Sequence, residues 1–202
     1  MIIGIDLDNT IIDYRGVFHR HAVRRGLIPP SVPPGKDDVR DYLRAIGRED
    51  DFTELQGFVY GPGLAEAKPF EGVHEALGAL QRAGHRPIII SHKTPRPFLG
   101  PPYDLQAFAR EWLRSQGLVG EPHGILAPND LFLEPTKAAK QARIAELGCE
   151  WFIDDLPEFL EDAAFPPSVR RILFDPEGKS RPDPRWRSAR SWSEISSIIL
   201  ES

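Results

Sequence analysis

The residues best suited to chemistry are Asp6-Leu7-Asp8-Asn9-Thr10, directly after the apolar run Ile2-Ile3-Gly4-Ile5. Residues two apart on an extended chain point the same way, so Asp6 and Asp8 can converge on one point at a strand's end. In open α/β sheets that carboxyl end is where ligands bind. Two close carboxylates repel and need a cation or a proton between them, and an oxygen-only donor set suits Mg2+. The same residue types also build turns and cap helices, so the motif alone leaves a plain surface turn open.

Three later stretches carry related chemistry. Ser91-His92-Lys93-Thr94 follows Ile88-Ile89-Ile90. A small hydroxyl at a strand terminus, joined by backbone N–H groups, can hold a phosphate oxygen. Lys93 and Arg96 are candidates for a second acidic group on a ligand, with solvated loop residues as the alternative. Lys137 comes early in a helical pattern after Pro135 and Thr136, and a compact ammonium can neutralise a carboxylate or a transferring phosphoryl group. Lys140 lies one turn further along and competes for the same role. Finally, Phe152-Ile153 leads into Asp154-Asp155. Two acids after an apolar strand are costly unless they bind something or cap the next helix.

The elements that must position these residues alternate. Strands are expected at Ile2–Ile5, Ile88–Ile90, Gly124–Ala127, Trp151–Ile153 and Arg171–Phe174. Helical spacing predicts Val73–Ala83, Leu105–Leu113, Thr136–Leu147 and Ser193–Leu200, the last with Ser193 as its N-cap. Such alternation reads as an α/β fold with a parallel sheet. Residues 15–69 break it. They hold a helical stretch at His19–Arg25, a hinge with Pro29, Pro30, Pro33 and Pro34, then helices near Asp37–Ile46 and Asp51–Phe58. The expectation is a core of residues 1–14 and 70–202 with a small helical insertion at 15–69. His19 and His21 are two apart on a helix, so they do not share a face.

Bulk properties set limits. Apolar residues at 41% and charged residues at 27% of 202 are ordinary for a globular chain, enough for one core domain with an insertion. A net charge of −5 argues against a protein that grips nucleic acid non-specifically. Trp186 and Trp192, set among Arg185, Arg187 and Arg190, read as a packed tail in preference to a base-stacking surface. The single Cys149 excludes an intrachain disulfide and any cysteine zinc motif, so the cytoplasm is the default location. The apolar run at the N-terminus breaks at Asp6 with no basic segment before it, so no signal peptide is expected, and nothing approaches the roughly 18 apolar residues of a membrane span.

Strand–DxDNT, strand–Ser, helix–Lys and strand–DD occur in that order, each at an element end. This resembles the four-motif pattern of the haloacid dehalogenase (HAD) superfamily, over residues 1–14 and 70–175. The resemblance implies a Rossmann-like core with a C1-type cap at 15–69. It implies that Asp6 attacks phosphorus and forms an aspartyl-phosphate, while Asp8 protonates the leaving oxygen and then activates water. Mg2+ would be held by Asp6, the Asp8 carbonyl and Asp154, with Asp155 assisting; Ser91 and Lys137 would hold the phosphoryl group, and Asn9, Thr10, His92, Lys93 and Arg96 would line the substrate. Asp8 favours a phosphatase over a dehalogenase, because a halide leaves without a proton. Asn9 stands where the family often has Gly. A looser similarity of Leu173-Phe174-Asp175-Pro176 and Ser191-Trp192-Ser193-Glu194-Ile195 to the 5′(3′)-deoxyribonucleotidase branch adds nucleoside monophosphates to sugar phosphates as substrate classes. The partner implied is a small phosphorylated metabolite, with no membrane and no nucleic acid, and a homodimer is compatible with it. A phosphotransferase such as a phosphomutase, or a binding protein without catalysis, shares the same motifs.

Overall fold

The first strand, β1 (Ile2–Ile5), is short and almost wholly buried, which suits a run of isoleucines interrupted only by glycine. In this computed structural model, which describes residues 1–120, 122 and 124–202, β1 lies inside a six-stranded sheet. The elements follow in chain order. After β1 come β2 (Ile12–Asp13), α1 (Val17–Arg24), α2 (Lys36–Ala45), α3 (Glu49–Tyr60), β3 (Lys68–Pro69), α4 (Val73–Arg82) and β4 (Arg86–His92). Then come α5 (Leu105–Ser115), β5 (Leu131–Glu134), α6 (Lys137–Glu146), β6 (Trp151–Asp154), α7 (Pro157–Leu160), β7 (Arg170–Phe174), β8 (Arg187–Ala189) and α8 (Trp192–Leu200).

The large sheet runs β5-β4-β1-β6-β7-β8, and every pairing is parallel. β1 is central, with Ile5 opposite Ile89 of β4 and Ile153 of β6. A parallel sheet buried on both faces reads as continuous apolar sequence, and Ile3, Ile5, Ile89, Ile90, Phe152, Ile153, Ile172 and Leu173 are fully buried. Each such side chain contributes about 1.5–3 kcal/mol by leaving water. Gly4 has a packing role: a Cβ there would lie 2.5 Å from the Phe152 ring and 3.1 Å from Cys149 Sγ.

The chain divides into two compact units. One comprises Met1–Ile12, Pro69–Lys93 and Gln116–Ser202; the other comprises Asp13–Lys68 and Thr94–Ser115. The second unit is therefore larger than the insertion expected at 15–69. Helix α5, assigned from sequence to the core, packs instead with α3 and the 3₁₀ turn Pro62–Glu66. Trp112 Nε1 donates to the Ala67 carbonyl at 3.1 Å, and Gly57 faces Pro97 closely enough that a Cβ would meet it at 2.6 Å. Its core is aromatic. Tyr14, Phe18 and Tyr60 meet edge to face, Phe52 stacks on Phe18, and Lys36 Nζ donates to the Tyr60 hydroxyl at 2.8 Å.

Two further expectations shift. The strand expected at Gly124–Ala127 is a single bridge, Val119 to Leu126, and the edge strand is Leu131–Glu134. Pro128 opens a 3₁₀ turn that ends the earlier run, whereas Leu131 and Leu133 alternate inward on an edge strand. The N-cap of α8 is Ser191, not Ser193: its side chain accepts from Glu194 N at 3.2 Å, and the Glu194 carboxylate accepts from Arg190 N at 2.7 Å. That S-x-x-E spacing is a capping-box signal present in the sequence. Trp192 is buried and donates Nε1 to the Thr10 carbonyl at 3.0 Å, so its indole is not a free stacking surface. Among the described residues no helix is long and apolar enough to cross a membrane.

Candidate active site

Asp6 is the first residue past β1, and its N–H still donates to the Ile153 carbonyl at 2.9 Å. That bond carries the β1–β6 pairing one step beyond the strand and sets Asp6 beside Asp154, the last residue of β6. Asp6, Asp154 and Asp155 each offer a carboxylate oxygen, all within 4.8 Å of one another. Asp154 also accepts from Leu156 N at 2.9 Å, which fixes its orientation. Burial is the largest cause that pushes Asp6 up to about 7, with the negative charges of Asp154 and Asp8 adding to it against the pull of Lys140. Burial, then Asp154 and Asp6, push Asp155 up to about 9.

Asp8 does not continue the strand. Leu7 O accepts from both Ile11 N and Ile12 N, and Asp8 bridges to Ile12, so Asp8 reaches the site from a tight loop. The loop turns at Asn9, whose φ is +57°. This left-handed region is costly for most side chains and open to Asn and Gly, which accounts for Asn at this position.

The structure separates the two lysines. Lys140, not Lys137, sits among the carboxylates: its Nζ donates at 2.6 Å to Asp6 Oδ1 and at 2.6 Å to Asp154 Oδ2. These partners raise the Lys140 pKa even though its burial acts the other way. Lys137 is half-exposed, pairs with Asp162 at 2.7 Å and donates to the Glu158 carbonyl at 3.3 Å. Thr136 caps α6 and makes Lys137 the first helical residue. Lys140 is then about 4.5 Å deeper along the axis. Both lysines share a stripe with Ile144, so helical period alone does not choose between them.

The remaining candidates fall into three groups. Ser91 and Thr10 are buried, and neither hydroxyl has a hydrogen-bond partner among the described residues. Lys93, a candidate either for a ligand contact or for a solvated loop, is buried, and its Nζ lies 2.8 Å from both carboxylate oxygens of Asp8. His92 alternates outward at the end of β4 and is exposed. Arg96 belongs to the second unit, where it donates to the Pro102 carbonyl at 3.3 Å.

The donor set fits a divalent cation. Asp6, Asp8, Asp154 and Asp155 face two ammonium groups, Lys93 and Lys140, so the fully ionised cluster carries a formal charge of −2. Hard cations such as Mg2+ take oxygen ligands of this kind. The orphaned hydroxyls of Ser91 and Thr10 add polar groups that are costly to bury unpaired.

No protein-family model matches this sequence, and no curated protein does. Solved structures match in fold. The Mycobacterium tuberculosis Protein Tyrosine Kinase A aligns with a TM-score of 0.64 at 20% identity, over 98% of this chain and 97% of that one. A predicted phosphatase from Clostridium acetobutylicum gives 0.62 at 15%, over 100% and 98%. The HAD-type hydrolase YfnB from Bacillus subtilis, whose structure is bound to magnesium, gives 0.59 at 15%, over 98% and 97%. The fold is thus the α/β, Rossmann-like fold of HAD-superfamily hydrolases.

Proposed function

From a chain with the HAD-hydrolase fold, we propose a Mg2+-dependent phosphatase that hydrolyses a small phosphomonoester, a sugar phosphate or a nucleoside monophosphate, through an aspartyl-phosphate on Asp6. The observation that carries the reading is Asp6 itself: a carboxylate at the carboxyl end of the central strand, among Asp8, Asp154, Asp155 and Lys140.

In the first step an Asp6 oxygen bonds to phosphorus as the ester P–O bond breaks, and the departing oxygen takes the carboxyl proton of Asp8. In the second, water attacks phosphorus, gives a proton to the Asp8 carboxylate, and the Asp6–phosphorus bond breaks to release inorganic phosphate. Splitting one displacement into two lowers each barrier. Lys140 holds Asp6 in place and offsets charge, while Ser91 and Thr10 offer hydroxyls to the phosphoryl oxygens. A Mg2+ ion would be held by Asp6, Asp154 and the Asp8 carbonyl with help from Asp155, and would neutralise phosphoryl charge.

The test is turnover of p-nitrophenyl phosphate with MgCl2, compared with Asp6→Asn. Release of phosphate by the wild type and its loss in the variant supports the reading; activity that survives Asp6→Asn sinks it. A phosphotransferase uses the same first step and passes the phosphoryl group to another hydroxyl. The kinase among the fold relatives keeps that reading open, and product analysis with a second alcohol present separates the two.

A further inference from the structure

We propose that Lys93 is a positioning residue that aims the Asp8 carboxyl group at the leaving oxygen; the inference rests on the phosphatase reading above. Lys93 Nζ lies 2.8 Å from Asp8 Oδ1 and 2.8 Å from Oδ2. Contact with both oxygens fixes the rotation of the carboxyl plane, which one hydrogen bond would leave free.

The anchor behind that ammonium is rigid. Lys93 N donates to the Glu134 carbonyl at 2.7 Å, which continues the β4–β5 pairing one residue past the end of β4. The side chain is 3% exposed. A lysine loses up to ~2 kcal/mol of rotamer freedom when it is ordered, and burying its charge adds to the cost. The two hydrogen bonds to Asp8 offset part of that cost. On the other side, Asp8 rides on the loop turned by Asn9, which sets its backbone. Lys93 acts on the carboxyl plane through both of its oxygens. Lys140 has a different place, bridging Asp6 and Asp154.

Aim matters because proton transfer needs a reach of ~2.6–3.2 Å, and a misplacement of about 1 Å costs about 100-fold. In the first step the Asp6–phosphorus bond forms, the ester P–O bond breaks, and the Asp8 proton goes to the departing oxygen. A leaving group as good as p-nitrophenolate departs without that proton; an alkoxide does not. Lys93 therefore matters in proportion to the basicity of the leaving group.

The experiment is kcat/KM for a series from p-nitrophenyl phosphate to alkyl phosphates, wild type against Lys93→Met. The expected result is a loss of about 100-fold for alkyl phosphates, little change for p-nitrophenyl phosphate, and unchanged inhibition by inorganic phosphate. A parallel loss across the series, or weakened phosphate inhibition, overturns the proposal, because Lys93 would then grip the phosphoryl group or only support the fold. If Lys93→Met does not fold, Asp8→Asn is compared with Asp8→Asn/Lys93→Met, in which no unpaired charge is left behind. Equal kcat/KM for p-nitrophenyl phosphate supports the role, and a further loss in the double variant overturns it. A wild type inert toward every ester defeats the phosphatase reading itself, and the role of Lys93 with it.

Discussion

Lys140 reaches across from α6 to place one ammonium 2.6 Å from Asp6 and 2.6 Å from Asp154, so a single charge ties the ends of two adjacent strands. Lys140→Met should lower kcat by about 10²–10³-fold, the usual loss when a preorganised electrostatic donor is removed. It should also destabilise the fold by about 3–5 kcal/mol, because buried carboxylates lose their counter-charge. Lys137→Met should leave activity unchanged, since its Nζ pairs with the half-buried Asp162, outside the carboxylate cluster. Steady-state assays of both variants check this; equal losses would show that the two lysines share the work.

The acidic cluster should bind a divalent cation and gain stability from it. A ligand that binds only the folded state contributes about 2.7 kcal/mol at 100 times its Kd. Thermal melts with MgCl2 against EDTA should show a higher Tm with the metal, and Asp154→Asn should erase the difference. A wild-type Tm that ignores Mg2+ would mean that these carboxylates do not form a cation site.

Gly4→Ala tests the packing beneath the site. Its Cβ would enter 2.5 Å from the buried Phe152 ring, with Cys149 Sγ at 3.1 Å on the same side. Overpacking of this kind costs about 1–3 kcal/mol. Urea unfolding should show that loss with m unchanged, and activity should fall as well, because β1 delivers Asp6. A variant as stable as the wild type would show that the Phe152 ring can shift.

His21 gives the second unit a pH dependence. Its ring is buried against Phe58, and burial, ahead of the repulsion from Arg24, Arg25 and Arg20, holds its pKa below the usual imidazole value; Glu66 acts the other way. The folded state accepts the neutral ring. Its contribution is therefore intact above pH ~6.5 and is lost as the pH falls through the depressed folded-state value, because the unfolded chain binds the proton first. Between pH 7 and 5 the wild type should lose more stability than His21→Gln. Parallel stability curves would show that other groups set the slope.

Much of the site was readable along the chain. An apolar strand that ends in Asp6-Leu7-Asp8, another that ends in Ser91 and a third that ends in Asp154-Asp155 are local patterns, because a strand's burial and its end both follow from residue type. The shape of the loop was half readable: Asn9 suits a left-handed turn, yet only the backbone shows that Asp8 arrives from a loop and not along the strand. The edge strand Leu131–Glu134 was missed because edge strands carry weak and mixed patterns.

Sequence by itself determined that Asp6, Ser91, Asp154 and Asp155 stand at the ends of strands, since apolar runs bury themselves and polar residues stop them. Tertiary structure alone decided the cations. Lys137 and Lys140 lie on one helical stripe, and Lys93 directly follows β4; which ammonium meets which carboxylate depends on how far each element reaches over the sheet. That is a matter of a few ångströms in the packing of α6 and the end of β4, and residue spacing does not encode it.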